Sequence, residues 1–172
     1  IKNMAPKSKL KGLGLLGTGD AFHPGWLDII EESTTYSGDG IYSSQDMDFV
    51  LTTEVEAKNK IHHLIIIPDM DIARELSDKL PSKNKNQDGR PKTQLSGAEL
   101  LDLVRQYDCL IGPAHAFTPW TGMYKSFDSI HDCYAKKPDF VELGLSADTF
   151  MADTVRELIS RSEERRVGKE CR

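Results

Sequence analysis

The sequence predicts an α/β fold, and three observations carry that prediction. Short apolar runs of strand length alternate with segments of helical spacing along most of the chain. The run from Ile61 to Ile67 is almost continuously apolar, as a strand buried on both faces requires. Ser96 and Glu99 stand at the head of an apolar-periodic stretch with the spacing of a capping box, which fixes a helix start. Such a succession favours a parallel sheet or a barrel of βα units, with functional residues on the loops after the strands' C-terminal ends.

Taken in order, Ile1 to Lys11 reads as part of a helix leading into the apolar Leu13 to Leu16. Gly12 to Gly17 is a short strand that delivers GTGD at its end. Pro24 to Glu32 suits a helix, with Pro24 in the first turn and Trp26, Leu27 and Ile30 sharing a face. Thr34 to Asp46, rich in Ser, Thr, Gly and Asp, reads as a loop. Phe49 to Ala57 and Ile61 to Ile67 are the next strands, and Asp71 to Leu80 returns to helical spacing. Ser82 to Gln94 is the most loop-like segment, followed by a helix over Ser96 to Tyr107 and a strand over Asp108 to Pro113. A helix over Met123 to Tyr134, a short strand over Phe140 to Leu143 and a helix over Asp148 to Ser160 complete the expectation. From Arg161 to Arg172 the chain turns abruptly polar and reads as a tail outside the functional unit.

The length of 172 residues fits one domain, and 38% hydrophobic residues supply a core that a disordered chain lacks. The net charge of -5 argues against a module that coats nucleic acid by basic charge alone. It does not argue against a nuclease, because carboxylates gathered around bound cations count as negative in a sequence. The cysteines Cys109, Cys133 and Cys171 form no CxxC pair and read as reduced thiols, which favours a cytoplasmic setting. The longest strongly apolar run, Leu64 to Pro68, falls far short of the roughly 20 residues that cross a bilayer, so no membrane partner is expected.

The residues able to carry chemistry gather at the ends of the expected strands. Asp20 and His23 follow the first strand in a spacing that aims both at one ion, or else Asp20 caps a helix and His23 is merely hydrogen bonded. Glu54 lies in LTTEVEA among apolar and hydroxylated neighbours, where a carboxylate needs a cation or hydrogen bonds, and it is the stronger candidate beside Glu56. His62 and His63 point to opposite faces of their strand, so one of them joins a site, and His63 is favoured. His115, held among Pro113, Phe117, Pro119 and Trp120, is a ligand or a buried imidazole bonded to a carbonyl. Glu142 and Asp148 bracket a strand-to-loop transition, and Asp148 is equally a helix cap. Oxygen and imidazole donors without thiolates suit zinc, manganese or iron. Two or three such ions match phosphodiester hydrolysis, which needs an activated water and charge stabilisation. No GxxxxGK[ST] string occurs, which removes an ATP-driven motor.

Seven strings in order, KGLGLLGTGDAFHPGWL, LTTEVE, KIHHLIIIPDMD, DGRP, IGPAHAFTPW, KSFDSI and VELGLSAD, strongly resemble the PHP-domain proteins of the endonuclease Q type, over about residues 3 to 160. The resemblance implies a distorted βα barrel that binds divalent ions, Zn, Mn, Fe or Mg, and a parent enzyme that nicks DNA 5′ to deaminated bases such as uracil and hypoxanthine. It implies Asp20, His23, Glu54, His63 (less so His62) and His115 as metal-site residues, with Glu142 and Asp148 near them. The family's His-x-His pair before GTGD and its later Ser-Asp-x-His segment do not occur, so residues 1–160 are expected to be a partial catalytic domain without activity of its own. Lesion recognition would draw on aromatic stacking, for which Trp26, Phe117, Trp120 and Tyr124 stand near the site loops unless each serves as packing, and on phosphate contacts from Lys83, Lys85, Arg90 and Lys92. A phosphoesterase acting on small phosphate esters and a non-catalytic nucleic-acid-binding scaffold are the competing readings.

Overall fold

The computed structural model describes residues 1, 3–45, 47–82, 89–118 and 120–143. Within them, helix α1 (Met4–Leu10) leads to strand β1 (Leu15–Gly17) and helix α2 (Pro24–Ser33). Strands β2 (Thr35–Gly38), β3 (Ile41–Ser44), β4 (Met47–Glu56) and β5 (His62–Ile67) follow in close succession. Helices α3 (Met70–Lys79) and α4 (Gly97–Val104), strand β6 (Leu110–Pro113) and helix α5 (Ile130–Tyr134) complete the order.

The strands form one sheet in the order β2-β3-β4-β5-β6, with β1 pairing β4. The expected parallel sheet is therefore corrected: only β1 and β4 run parallel, and every other neighbour is antiparallel. The reason lies in the connections. Residues 39–40 and 57–61 are too few for a crossover, which takes a dozen or more, whereas β6 returns antiparallel to β5 after the longer passage through α3 and α4. Within Thr34 to Asp46, expected as a loop, Thr35 to Ser44 instead forms the β2–β3 hairpin. Its turn residues Asp39 and Gly40 have φ of 51° and 79°, the left-handed geometry of a two-residue hairpin turn for which Asp-Gly is a favoured pair.

The ten-residue β4 organises the sheet. Asp48 to Val50 pairs with β1, Met47 to Val50 with β3, and Leu51 to Glu56 with β5. Its odd-numbered residues Phe49, Leu51, Thr53 and Val55 are fully buried, as are His63, Ile65 and Ile111 on the neighbouring strands. Helix α4 closes over this face with Leu100, Leu101 and Val104. At its first residue, Gly97, a Cβ would stand 2.8 Å from Cys133 Sγ and 3.3 Å from the His63 ring, so only glycine admits α4 and α5 this close to β5. The capping box forms as the sequence predicts: Glu99 N–H donates to Ser96 Oγ, and Ser96 N–H donates to Glu99 Oε2.

Gly12, Gly14 and Gly17 stand at GxGxxG spacing, but they precede and end β1 instead of following it into a helix, so no phosphate-cradling turn forms there. The helix expected over Met123 to Tyr134 is broken. A 3-10 turn (Met123–Lys125) is separated from α5, which restarts where Ser129 Oγ accepts from Asp132 N–H. Phe140 to Leu143 makes no strand, although Asp139 and Glu142 N–H donate to the Ile111 and Pro113 carbonyls beside β6. Asp148 to Ser160 and the polar tail lie outside the described residues. No helix of the described residues is long and apolar enough to cross a membrane.

Candidate metal centre

Antiparallel pairing puts the start of β5 beside the ends of β4 and β6. Glu56 stands opposite His62, Val55 opposite His63, and His63 opposite Pro113. Directly opposed residues share a face of the sheet, and alternate residues of one strand share it too. Glu54, Glu56 and His62 therefore lie on one face, and Val55 and His63 on the other. The chain leaves β6 at Pro113, Ala114 N–H donates to the His62 carbonyl, and His115 turns back over the same corner.

The result is a cluster of Glu54, His62 and His115, each offering one donor atom with all three atoms within 4.8 Å of one another. His62 Nδ1 is 3.2 Å from His115 Nε2 and 3.3 Å from Glu54 Oε2, and His115 Nε2 is 3.9 Å from Glu54 Oε1. The His62 imidazole is the largest influence holding the Glu54 carboxyl below the usual carboxylate range. Partial burial pushes the other way, and the charges of Arg90 and His115 add to the lowering. Arg90 Nε lies 2.9 Å from Glu54 Oε2, yet that buried oxygen accepts no hydrogen bond of good geometry. A carboxylate oxygen so placed, next to two imidazoles, is a ready acceptor for a cation.

The loop from His115 to Lys125 is braced for the task. Thr118 Oγ1 donates to the His115 carbonyl and lies 2.7 Å from His115 Nδ1, so the threonine engages Nδ1 and Nε2 is the ring nitrogen on the side of Glu54 and His62. His115 N–H donates to Glu142 Oε2 at 2.9 Å, and Ala116 N–H donates to the Glu142 carbonyl. His62 N–H donates to the carbonyl of Thr121, tying the loop to β5. His115 itself adopts φ of 31°, in the left-handed region that β-carbon residues seldom enter.

Of the residues singled out from sequence, Glu54 and His115 meet as expected. His63 does not join them: register places it on the core face, where its Nδ1 is 2.6 Å from Tyr134 Oη and its Nε2 has no hydrogen-bond partner. Burial, with a smaller contribution from His62, pushes the His63 imidazole down to about 3. Its neighbour His62 takes the place at the site. Asp20 sits on the adjoining turn with φ of 46°, its side chain against Gly89, where a Cβ would fall 2.3 Å from Asp20 Cβ. It stands outside the three-residue cluster. His23 Nδ1 accepts from Trp26 N–H and caps α2, so that nitrogen is engaged locally. Glu142 supports the backbone of His115 from outside the cluster. Arg90 is drawn onto Glu54, and Lys92 Nζ lies 3.4 Å from Glu56 Oε2. Asp148, Lys83 and Lys85 fall outside the described residues. Glu56, ranked below Glu54 from sequence, lies 3.6 Å from His62 Nε2, which the strand register decides, and Thr118 engages His115 through a local contact three residues along the loop.

No protein-family model matches the chain. It is 42% identical over 123 residues to the uncharacterized protein MJ0043 of Methanocaldococcus jannaschii, a match covering 70% of this chain and 14% of that protein. It is 30% identical over 185 residues to the uncharacterized protein YqxK of Bacillus subtilis, covering 94% of this chain and 47% of that protein. Among solved structures it is similar to the lesion-specific endonuclease PfuEndoQ of Pyrococcus furiosus, with a TM-score of 0.82 and 45% identity over 87% of this chain and 38% of that one. Endonuclease Q in complex with a 27-mer duplex bearing an abasic lesion at its active site matches with a TM-score of 0.82 and 43% identity, at the same coverage. The fold is thus endonuclease Q-like, and the chain spans less than half the length of each of these relatives.

Proposed function

We propose that this chain is the metal-holding part of a DNA endonuclease that hydrolyses a phosphodiester 5′ to a deaminated base, within a distorted barrel of the PHP type. The observation that carries the reading is the convergence of Glu54, His62 and His115 on a backbone that matches lesion-specific endonucleases. The donor set fits a divalent ion of the zinc, manganese, iron or magnesium group: one carboxylate, two imidazoles, and a buried carboxylate oxygen that lacks a well-formed hydrogen bond among the described residues. Bound there, such an ion supplies Lewis acidity toward a phosphoryl oxygen and acidifies an attacking water.

The chain's own residues supply the rest. Glu54 and the two imidazoles hold the ion, with Asp20 and His23 on the adjoining turn as further donors in the complete protein. Thr118 and Glu142 orient His115. Arg90 and Lys92, on the rim beside Glu54 and Glu56, offer cations to the phosphates of a bound strand, together with Lys83 and Lys85.

The test is nicking of duplexes carrying one uracil or hypoxanthine by the chain extended to the length of its relatives, with undamaged duplex and p-nitrophenyl phosphate alongside. Expected is lesion-dependent, metal-dependent nicking that falls at least 100-fold in Glu54→Gln and His115→Ala. Nicking untouched by both substitutions would overturn the assignment of the site. Turnover of the small ester alone would move the reading to a phosphoesterase without a DNA substrate.

A further inference from the structure

We infer that Trp120 is a stacking platform for a nucleobase of the DNA strand bound at the metal centre, a role that rests on the reading above and names the residue that grips the substrate. Four aromatic side chains lie near the site loops, and the structure separates them. The Trp26 indole N–H donates to the Gly19 carbonyl at 2.9 Å, which holds that ring against the β1 turn. Phe117 and Tyr124 stack on each other, with ring centroids 4.7 Å apart and planes 26° apart, so each covers the other's face. Trp120 is 77% exposed, the most exposed of the large aromatic residues among those described.

An indole held in water costs apolar hydration unless something covers it. Backbone hydrogen bonds tie the described residues on either side of Trp120 back to the His115 loop. Thr118 N–H donates to the His115 carbonyl, Gly122 N–H to Thr118, and Tyr124 N–H to Ala116. At Gly122 a Cβ would stand 2.6 Å from both the Ala116 and Thr118 carbonyls, so the chain doubles back without space to spare. Trp120 is flanked by Thr118, which touches His115 Nδ1, and by Thr121, whose carbonyl accepts from His62 N–H. The backbone of Trp120 therefore lies within two residues of contacts to both site histidines. Lys125 Nζ donates to the Trp120 carbonyl at 2.9 Å, which ties an exposed cation to the backbone that carries the indole.

An exposed indole two residues from Thr118, which touches His115, with a lysine on its own backbone carbonyl and a candidate metal centre at hand, suits an unstacked base and its phosphate. Base–aromatic stacking accepts every base, so Trp120 would hold the strand while other groups read the lesion.

The experiment follows emission of Trp120 in a Trp26→Phe background while a single-stranded oligonucleotide is titrated in. Fluorescence anisotropy of a labelled oligonucleotide is measured in parallel with Trp120→Ala and Trp120→Phe, which leave Trp26 and its hydrogen bond in place. Expected are saturable quenching, an affinity loss of about 10-fold in Trp120→Ala, and near-complete retention in Trp120→Phe. Trp120→Ala binding as tightly as the parent chain would overturn the proposal, as would emission unchanged at saturating oligonucleotide. Protection of Trp120 from acrylamide in the DNA-free, extended protein would also overturn it, since protein would then cover the ring. The two readings fail separately. Loss of oligonucleotide quenching with lesion nicking intact removes only the stacking role, whereas quenching without any metal-dependent nicking removes the endonuclease reading.

Discussion

The two faces of β5 treat adjacent imidazoles in opposite ways. On the site face, His62 lies among two carboxylates and a second imidazole, with Glu54 and Glu56 on its own sheet face and His115 folded over from β6. On the core face, His63 is fully buried among Gly97, Cys133 and Tyr134, and among the described residues its ring pairs with Tyr134 Oη alone. One ring is surrounded by groups that attract a cation. The other is held neutral by the cost of taking charge out of water. The same residue type, one position apart, becomes a candidate ligand or a core polar pair according to which face the pleat gives it.

Exchanging the two losses breaks the comparison most sharply. His62→Ala is expected to lower zinc or manganese affinity at least 100-fold by isothermal titration, with a small change in urea midpoint. His63→Ala is expected to leave that affinity within a few-fold while costing about 2–4 kcal/mol of stability, through a buried cavity and a stranded Tyr134 hydroxyl. If His63→Ala removes metal affinity in a chain that remains folded, the assignment of faces is wrong.

That pair of histidines also shows what was legible in the sequence. Glu54, His115 and the opposite orientation of His62 and His63 were all readable from residue type and strand alternation. The choice between the histidines was not, because it depends on which β5 residue stands opposite Glu56, and register belongs to two strands at once. Glu54 and His63 were each reasonable alone and incompatible together. Both histidines stand at the start of β5, and because β5 is antiparallel to its neighbours that start adjoins the ends of β4 and β6. Local signals survived folding, as at Ser96 and Glu99 and at the cap of α3, where Asp69 accepts from Ile72 N–H. The β2–β3 hairpin was concealed by its composition, although Asp39-Gly40 carried the turn signal within it.

Acid offers a second way to sharpen the comparison. The unfolded chain protonates an ordinary histidine near 6.5, whereas folded His63 takes a proton only at about 3. Between those values the unfolded state binds the extra proton, so stability is full above the upper value and is lost as pH falls toward the lower one. The loss from this group is at most about 1.4 kcal/mol per pH unit. Urea midpoints measured from pH 7 to pH 4 should fall more steeply for the parent chain than for His63→Leu. Equal slopes would show that His63 is not the buried neutral group described.

Tyr134→Phe removes the one partner of a ring whose other nitrogen already has none. A cost of about 1–3 kcal/mol in urea is expected, with metal affinity unchanged, because Tyr134 lies on the face away from Glu54. A matching loss of metal affinity would show that the two faces are coupled through β5 itself.

The smallest effect tests how the site face holds its second imidazole. Glu142 Oε2 accepts from His115 N–H, and no contact in the described structure brings that carboxylate into the Glu54, His62 and His115 cluster. Glu142→Ala should therefore loosen the loop and lower metal affinity about 10-fold, the scale of a lost supporting hydrogen bond. Glu142→Gln keeps a carbonyl oxygen able to accept the same bond and should bind metal nearly as the parent chain does. The pair of variants separates support from ligation, since a ligand needs the negative charge and a brace needs only the acceptor. Glutamine as damaging as alanine would place Glu142 among the ligands and enlarge the site beyond the corner shared by β4, β5 and β6.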